Sequence, residues 1–174
     1  MIRPIYLFGQ AVLREQATDI DLDAKEEIAT LVADMKETLS KSEGCGLAAP
    51  QIGVSKRVLI VTGEGMEEVY PYLEGFRRTI INPEVIEESS SQCTFNEGCL
   101  SVPGKWGIVT RPAKVRVRAQ DRYGEWFEAE GEGLNARCFC HELEHLDGHL
   151  YTEHIDHFLS DEELRKYLEA EEGE

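Results

Sequence analysis

The stretch from Leu134 to Asp147 constrains the fold most. Its apolar and small residues are Leu134, Ala136, Cys138, Phe139, Cys140, Leu143 and Leu146. They recur at helical spacing but occupy more than one face, so the helix they form is buried on most sides. Gly148 is placed to end it. Yet the same stretch carries His141-Glu142-Leu143-Glu144-His145. Burying two imidazoles and two carboxylates is costly unless they are bound to something. Histidines four residues apart stand one above the other on a helix and can share one metal ion. The glutamate after the first is displaced around the helix, where it serves as general acid and base rather than as a ligand. The chain must therefore wrap other elements around this helix and bring a third ligand to it.

The flanking sequence supplies candidates for those elements. Residues 1–20 read as an irregular arm anchored by Ile5, Leu7, Val12 and Leu13. Asp21 or Asp23 can cap a helix whose apolar positions Ile28, Leu31, Val32, Met35 and Leu39 keep helical spacing, and which ends near Ser42. Lys56 to Thr62 reads as a buried strand, 63–78 as an exposed loop, and Thr79 to Glu88 as a strand interrupted at Asn82-Pro83. Gln92 to Phe95 is a short strand candidate. Ala113 to Arg122 and Glu125 to Glu130 form a hairpin, with Val115 and Val117 on one face and Lys114, Arg116 and Arg118 on the other. A shorter helix is expected at 161–171. The fold class expected is α+β: antiparallel strands packed around the central motif helix, with an N-terminal helix and a short C-terminal helix, in a single domain spanning 1–174.

Composition narrows the function classes. A net charge of −16 argues against nucleic acid, whose phosphates need a basic surface. No apolar run approaches the roughly 20 residues of a membrane span. Met1 to Tyr6 lacks the apolar block of a secretory signal, so the cytoplasm is the expected compartment. Five cysteines in a chain of this size suggest no disulfide framework, and free thiols are expected.

A catalytic metal site has three protein ligands and an open position. Beyond His141 and His145, the candidates are Cys45, Cys93, Cys99, Cys138, Cys140, the other histidines and the carboxylates. Cys138 precedes His145 by about 10 Å of helix rise, too far to share an ion with both histidines. Cys140 points to another face. His149, His154 and His157 lie past the helix stop and read as exposed. Cys99 follows a strand and Gly98, where the backbone can bend towards another element. This puts it ahead of Cys45 and Cys93 but leaves all three open.

Three stretches together resemble the peptide deformylase family. Gly44-Cys45-Gly46-Leu47-Ala48-Ala49-Pro50-Gln51, Glu97-Gly98-Cys99-Leu100-Ser101 and His141-Glu142-Leu143-Glu144-His145 are similar to its three signature motifs, in order. The resemblance implies that Cys99, His141 and His145 are the metal ligands. It implies iron(II) as the native metal, with zinc, nickel or cobalt as substitutes. Glu142 would be the acid and base, and Gln51 with the Leu100 backbone N–H would hold the oxyanion. Gly46 would contact the peptide backbone, and Cys45, Glu97, Leu134, Cys138 and Trp106 would line the methionine pocket. The substrates implied are N-formylmethionyl peptides of nascent proteins, which lose formate. Two departures stand out: Glu144 where the family more often has aspartate, and Cys45 where a branched aliphatic is usual. Glu144 is expected to pair with Arg111 behind the site. The short acidic tail, with seven carboxylates from Asp161 onward, does not support the ribosome contact made by longer basic tails. The alternatives are a zinc metalloprotease, which gives Gln51 and Cys99 no role, and a non-catalytic homologue that binds nascent chains.

Overall fold

Val58, Leu59, Ile60 and Val61 are buried in succession, and this run sets the layer order. A strand with one wet face alternates; a strand buried on both faces is apolar throughout. In the computed structural model, which describes residues 1–42, 44–62, 77–155 and 157–172, this strand is β2 (Val58–Thr62). Val58 and Ile60 pack against α1 (Lys25–Ser40) through Ile28, Leu31, Val32, Met35 and Leu39. Leu59 and Val61 pack against α2 (Leu134–Leu146) through Phe139, Leu143 and Leu146. Each such side chain contributes about 1.5–3 kcal/mol when fully buried, so the two helices hold the sheet from opposite sides.

That sheet is antiparallel. Its order is β1 (Gly46–Ala48), β2, β3 (Arg77–Glu88), β6 (Lys114–Gln120) and β7 (Trp126–Glu132). Between β3 and β6 the chain leaves the sheet and makes a separate antiparallel ribbon, β4 (Gln92–Cys99) with β5 (Val102–Pro112). The ribbon's register slips between Glu97 and Cys99, where Gly98 sits, and this re-aims the end of β4 towards α2. α3 (Asp161–Glu172) closes the described chain. The expected class therefore holds: antiparallel strands around the motif helix, with an N-terminal and a C-terminal helix.

Several local expectations change. β5 reads poorly in sequence because Pro103, Gly104 and Gly107 break its alternation; pairing with β4 makes it a strand. The interruption at Asn82-Pro83 is a bulge within one long strand. Asn82 takes φ +50 there, a conformation asparagine tolerates, and its amide is held by Ile20 and Gln120. α1 has no side-chain cap; Asp21 instead accepts the Asp23 N–H in a local turn, and Ala24 stands at the cap position. Leu7 is 44% exposed, whereas Leu13 is fully buried in a 3-10 turn. The loop expected over 63–78 falls mostly on 63–76, outside the described residues, and Arg77 and Arg78 already belong to β3.

Candidate metal centre and active-site cleft

Two elements bring three ligand-type side chains together. Cys99 ends β4, and His141 and His145 lie one turn apart on α2. Their ligand atoms all fall within 4.8 Å of one another, and no other such cluster occurs among the described residues. The Cys99 sulfur lies 3.3 Å from Nε2 of His145. Both histidines are buried and Cys99 is half-buried.

The surroundings prepare these atoms for a cation. His141 Nδ1 meets Oε1 of Glu97 at 2.9 Å. An ionised carboxylate only accepts, so Nδ1 carries the proton and Nε2 keeps its lone pair for the centre. Gln51 Nε2 and the Ser101 backbone N–H both donate towards the Cys99 sulfur, at 3.5 and 3.4 Å. Burial, above all, holds His145 well below the ordinary imidazole range, so it is neutral, as a metal-binding imidazole must be. Burial would also depress His141, but Cys99 and Glu97 outweigh it and draw it well upward. The anions that favour charge on His141 equally favour a metal ion between the three atoms. One cysteine sulfur and two imidazoles, three donors rather than four, suit a catalytic site for a borderline-soft divalent ion better than a closed structural site.

Glu97 holds the site from behind. Arg111 donates to both its oxygens, at 2.7 and 2.9 Å, and Arg137 donates to Oε2. Burial alone would push Glu97 up, but the bonds from Arg111 and His141 win and keep it ionised, well below the usual carboxylate range. Arg111 also reaches Glu144 at 2.5 Å, and His154 meets Glu144 from the surface at 3.0 Å. A buried cluster of this kind is stable only while every charge keeps its partner.

Glu142 faces the other way. It is buried, its Oε2 has no partner, and burial pushes it up to about 7 against the pull of His141. Gly46 of β1 lies directly against it: a Cβ there would come within 2.8 Å of the Glu142 Cγ and 3.0 Å of Oε1. Only glycine lets the strand pass this close. At the C-terminus of α2, Gly148 takes φ +81, and the His149 and Gly148 N–H groups bond to the carbonyls of Glu144 and His145. This closure satisfies the last carbonyls of the turn that carries the two histidines.

A cleft of about 430 Å³ opens onto these groups. Every residue the sequence nominated for the pocket borders it: Cys45, Gly46, Glu97, Leu134, Cys138 and Trp106, together with Gln51, Cys99, Leu100, His141 and Glu142. Trp106, 41% exposed, stands at the rim. The Gln51 amide is oriented by its contacts: Oε1 accepts the Ala48 N–H at 2.9 Å, and Nε2 donates to Ser101 Oγ at 3.1 Å. Sequence reasoning missed Ser101, Arg137 and Tyr151. Ser101 lies inside a quoted motif without a role. Arg137 lies one helix turn before His141, and the only signal was its charge in a buried helix. Tyr151 stacks on the His141 ring at 5.8 Å, and nothing in its local sequence marks it.

The thiol expectation needs correction. Cys45 and Cys138 are joined as a disulfide, with Cα atoms 6.6 Å apart across 93 residues of sequence. That separation is within the disulfide range. The reason is tertiary: β1 lies beside α2, so residues with no sequence relationship share one wall. Cys93, Cys99 and Cys140 are free.

Comparison with known proteins points one way. The model of the polypeptide deformylase family matches residues 2–160. A peptide deformylase of Lachnoclostridium phytofermentans is 45% identical over 172 residues, covering 98% of both chains. One from Agathobacter rectalis is 45% identical over 161 residues, covering 92% of this chain and 94% of that one. Among solved structures, a class I type b peptide deformylase from Acinetobacter baumannii with Met-Ala-Ser bound superposes with a TM-score of 0.82. It is 34% identical and covers 89% of this chain and 99% of that one. The Thermotoga maritima peptide deformylase gives a TM-score of 0.79 at 34% identity, covering 90% and 99%.

Proposed function

This chain belongs to the polypeptide deformylase family, and from that premise we propose how its residues carry out the family's reaction, hydrolysis of the formyl group from the N-terminal formylmethionine of new proteins. The observation that carries the assignment of roles is the approach of Cys99, on the ribbon, to His141 and His145 on α2, with Gln51 beside the sulfur.

Cys99, His141 and His145 would hold one divalent ion, natively iron(II), with zinc, nickel or cobalt accepted by the same donors. Such an ion would supply Lewis acidity and ease the loss of a proton from the attacking water. Glu142, with its free Oε2, takes the proton lost as the formyl carbon is attacked and delivers it to the departing amine. Gln51 Nε2 and the Leu100 N–H donate to the oxygen that gains charge, and because both are held in advance they need no reorganisation. Gly46 lets the peptide backbone approach, and Cys45, Glu97, Leu134, Cys138 and Trp106 receive the methionine side chain. Arg111 ties Glu144 to Glu97, and Glu97 fixes the His141 ring. The substrates are formylmethionyl nascent chains met in the cytoplasm, and residues 1–174 act as one catalytic domain. The acidic tail makes no case for a ribosome contact. A zinc metalloprotease or a non-catalytic homologue is not favoured, since the family match and the thiol ligand both point elsewhere.

The test is formate release from formyl-Met-Ala-Ser, measured anaerobically on iron- and zinc-loaded protein. Release with either supports the reading, and none with both overturns it. Cys99→Ala should abolish metal retention while Cys93→Ala should not; equal effects would show that the wrong thiol was chosen.

A further inference from the structure

Cys45 and Cys138 line the cleft but take no part in the bond-breaking chemistry. We propose that they form a reversible disulfide that sets the width of the pocket for the first side chain of the peptide, so that the enzyme's thiol and disulfide forms differ in affinity for methionyl peptides. This rests on the deformylase reading of the cleft.

The placement is specific. Cys45 lies between two glycines just before β1, and Cys138 lies on α2 one turn before His141. Both line the cleft, and their sulfurs are joined. The three remaining cysteines are placed differently: Cys140 is buried with Val115 and Ala136, Cys99 belongs to the candidate ligand cluster, and Cys93 lies on β4 opposite Arg111. On reduction the covalent link between the two sulfurs gives way to a non-bonded contact, so the sulfurs must move apart. The backbone has little room to absorb that change. Gly46 is pressed against Glu142, and a Cβ on Gly44 would lie 3.2 Å from the Leu100 side chain. Cys138 is enclosed in the main core at 6% exposure, whereas Cys45 only packs against its edge. The displaced sulfur is therefore that of Cys45, and it moves into the cleft and narrows it. The disulfide form is the wider one and binds the methionine side chain more tightly.

The chemistry balances with a low-molecular-weight disulfide such as oxidised glutathione. The Cys45 thiolate, the more accessible of the two, attacks one glutathione sulfur and expels a glutathione thiolate. Cys138, on losing its proton, attacks the mixed disulfide at Cys45 and expels the second. Two electrons pass to glutathione, and the two thiol protons end on the two glutathione molecules released. A disulfide placed in this way responds to the redox state of its surroundings, as those found in reducing compartments do.

The experiment uses nickel-loaded holoenzyme equilibrated anaerobically across glutathione redox buffers. Thiols are then alkylated, and the Cys45–Cys138 cross-linked peptide is quantified by mass spectrometry. In parallel, the Kd for the product peptide Met-Ala-Ser is measured by calorimetry. The cross-link should appear at the oxidising end and vanish at the reducing end, with Kd about fourfold lower when oxidised, the worth of one buried methylene. Cys45→Val and Cys138→Ala should each bring the oxidised-to-reduced ratio to one, whatever their own affinity. Absence of the cross-link, a wild-type ratio of one, or a response that persists in both variants would overturn the proposal. Peptide binding is read without turnover, so a redox-dependent Kd without formate release would count against the deformylase reading and leave this one standing.

Discussion

Replacing Gly46 with alanine asks whether the close passage of β1 is what positions Glu142. The new Cβ would stand 2.8 Å from the Glu142 Cγ and 3.1 Å from Cδ. Ordinary carbon contacts lie at about 3.5–4 Å, so the carboxylate has to retreat by roughly 0.7 Å or more. Misplacing a reacting group by about 1 Å can lower the rate on the order of 100-fold. We therefore expect kcat to fall about 10- to 100-fold, equivalent to about 1.4–2.7 kcal/mol in the barrier. Overpacking should also lower stability by about 1–3 kcal/mol, which leaves the protein folded. Cys99, His141 and His145 are untouched, so metal content should equal that of the wild type. The assay combines metal analysis, a thermal melt and initial rates of formate release over a range of substrate concentrations. In the Glu142→Gln background the same substitution should add little, because both changes act through one carboxylate. A folded, metal-loaded Gly46→Ala enzyme with kcat within about twofold of wild type would show that Glu142 is not positioned by this contact.

Three further outcomes are expected. Glu97→Gln removes the shared anion of Arg111 and Arg137 and the acceptor of His141 Nδ1; it should cost about 3–5 kcal/mol in stability and weaken metal retention about 10- to 100-fold, read by urea melts and chelator competition, and retention at the wild-type level would exclude Glu97 as the group that orients His141. Gly148→Ala forces a side chain into φ +81 and within 2.6 Å of the Arg14 carbonyl; it should destabilise by about 2–4 kcal/mol, and a loss under about 0.5 kcal/mol would mean the turn relaxes freely. Asp34 is held below its ordinary value by hydrogen bonds from the Met1 ammonium and from Arg3, so its contribution is complete above the unfolded value of 3.8 and fades as pH falls through the depressed one. The stability gap between wild type and Asp34→Asn should therefore shrink in acid, and a gap that stays constant into strong acid would overturn the pairing.

What was legible in the sequence was local. Helical spacing over Leu134 to Leu146, the four-residue separation of His141 and His145, and the doubly buried run of β2 depend on neighbours a few residues away, so periodicity alone exposes them. Helix rise removed Cys138 as a ligand for the same reason. Choosing Cys99 among the thiols was different. The residues left it open beside Cys45 and Cys93, and the family resemblance was needed to select it, because the approach of β4 to α2 depends on a register slip at Gly98 that no local pattern announces. The convergence of Arg111 and Arg137 on Glu97 spans three separate elements, and the Cys45–Cys138 pair spans 93 residues. Such contacts come from which faces of the sheet, ribbon and helix meet once their apolar surfaces are buried. The motif helix declared its burial and its candidate metal-binding pair in its own residues; which thiol, carboxylate and disulfide would surround it was decided only by packing.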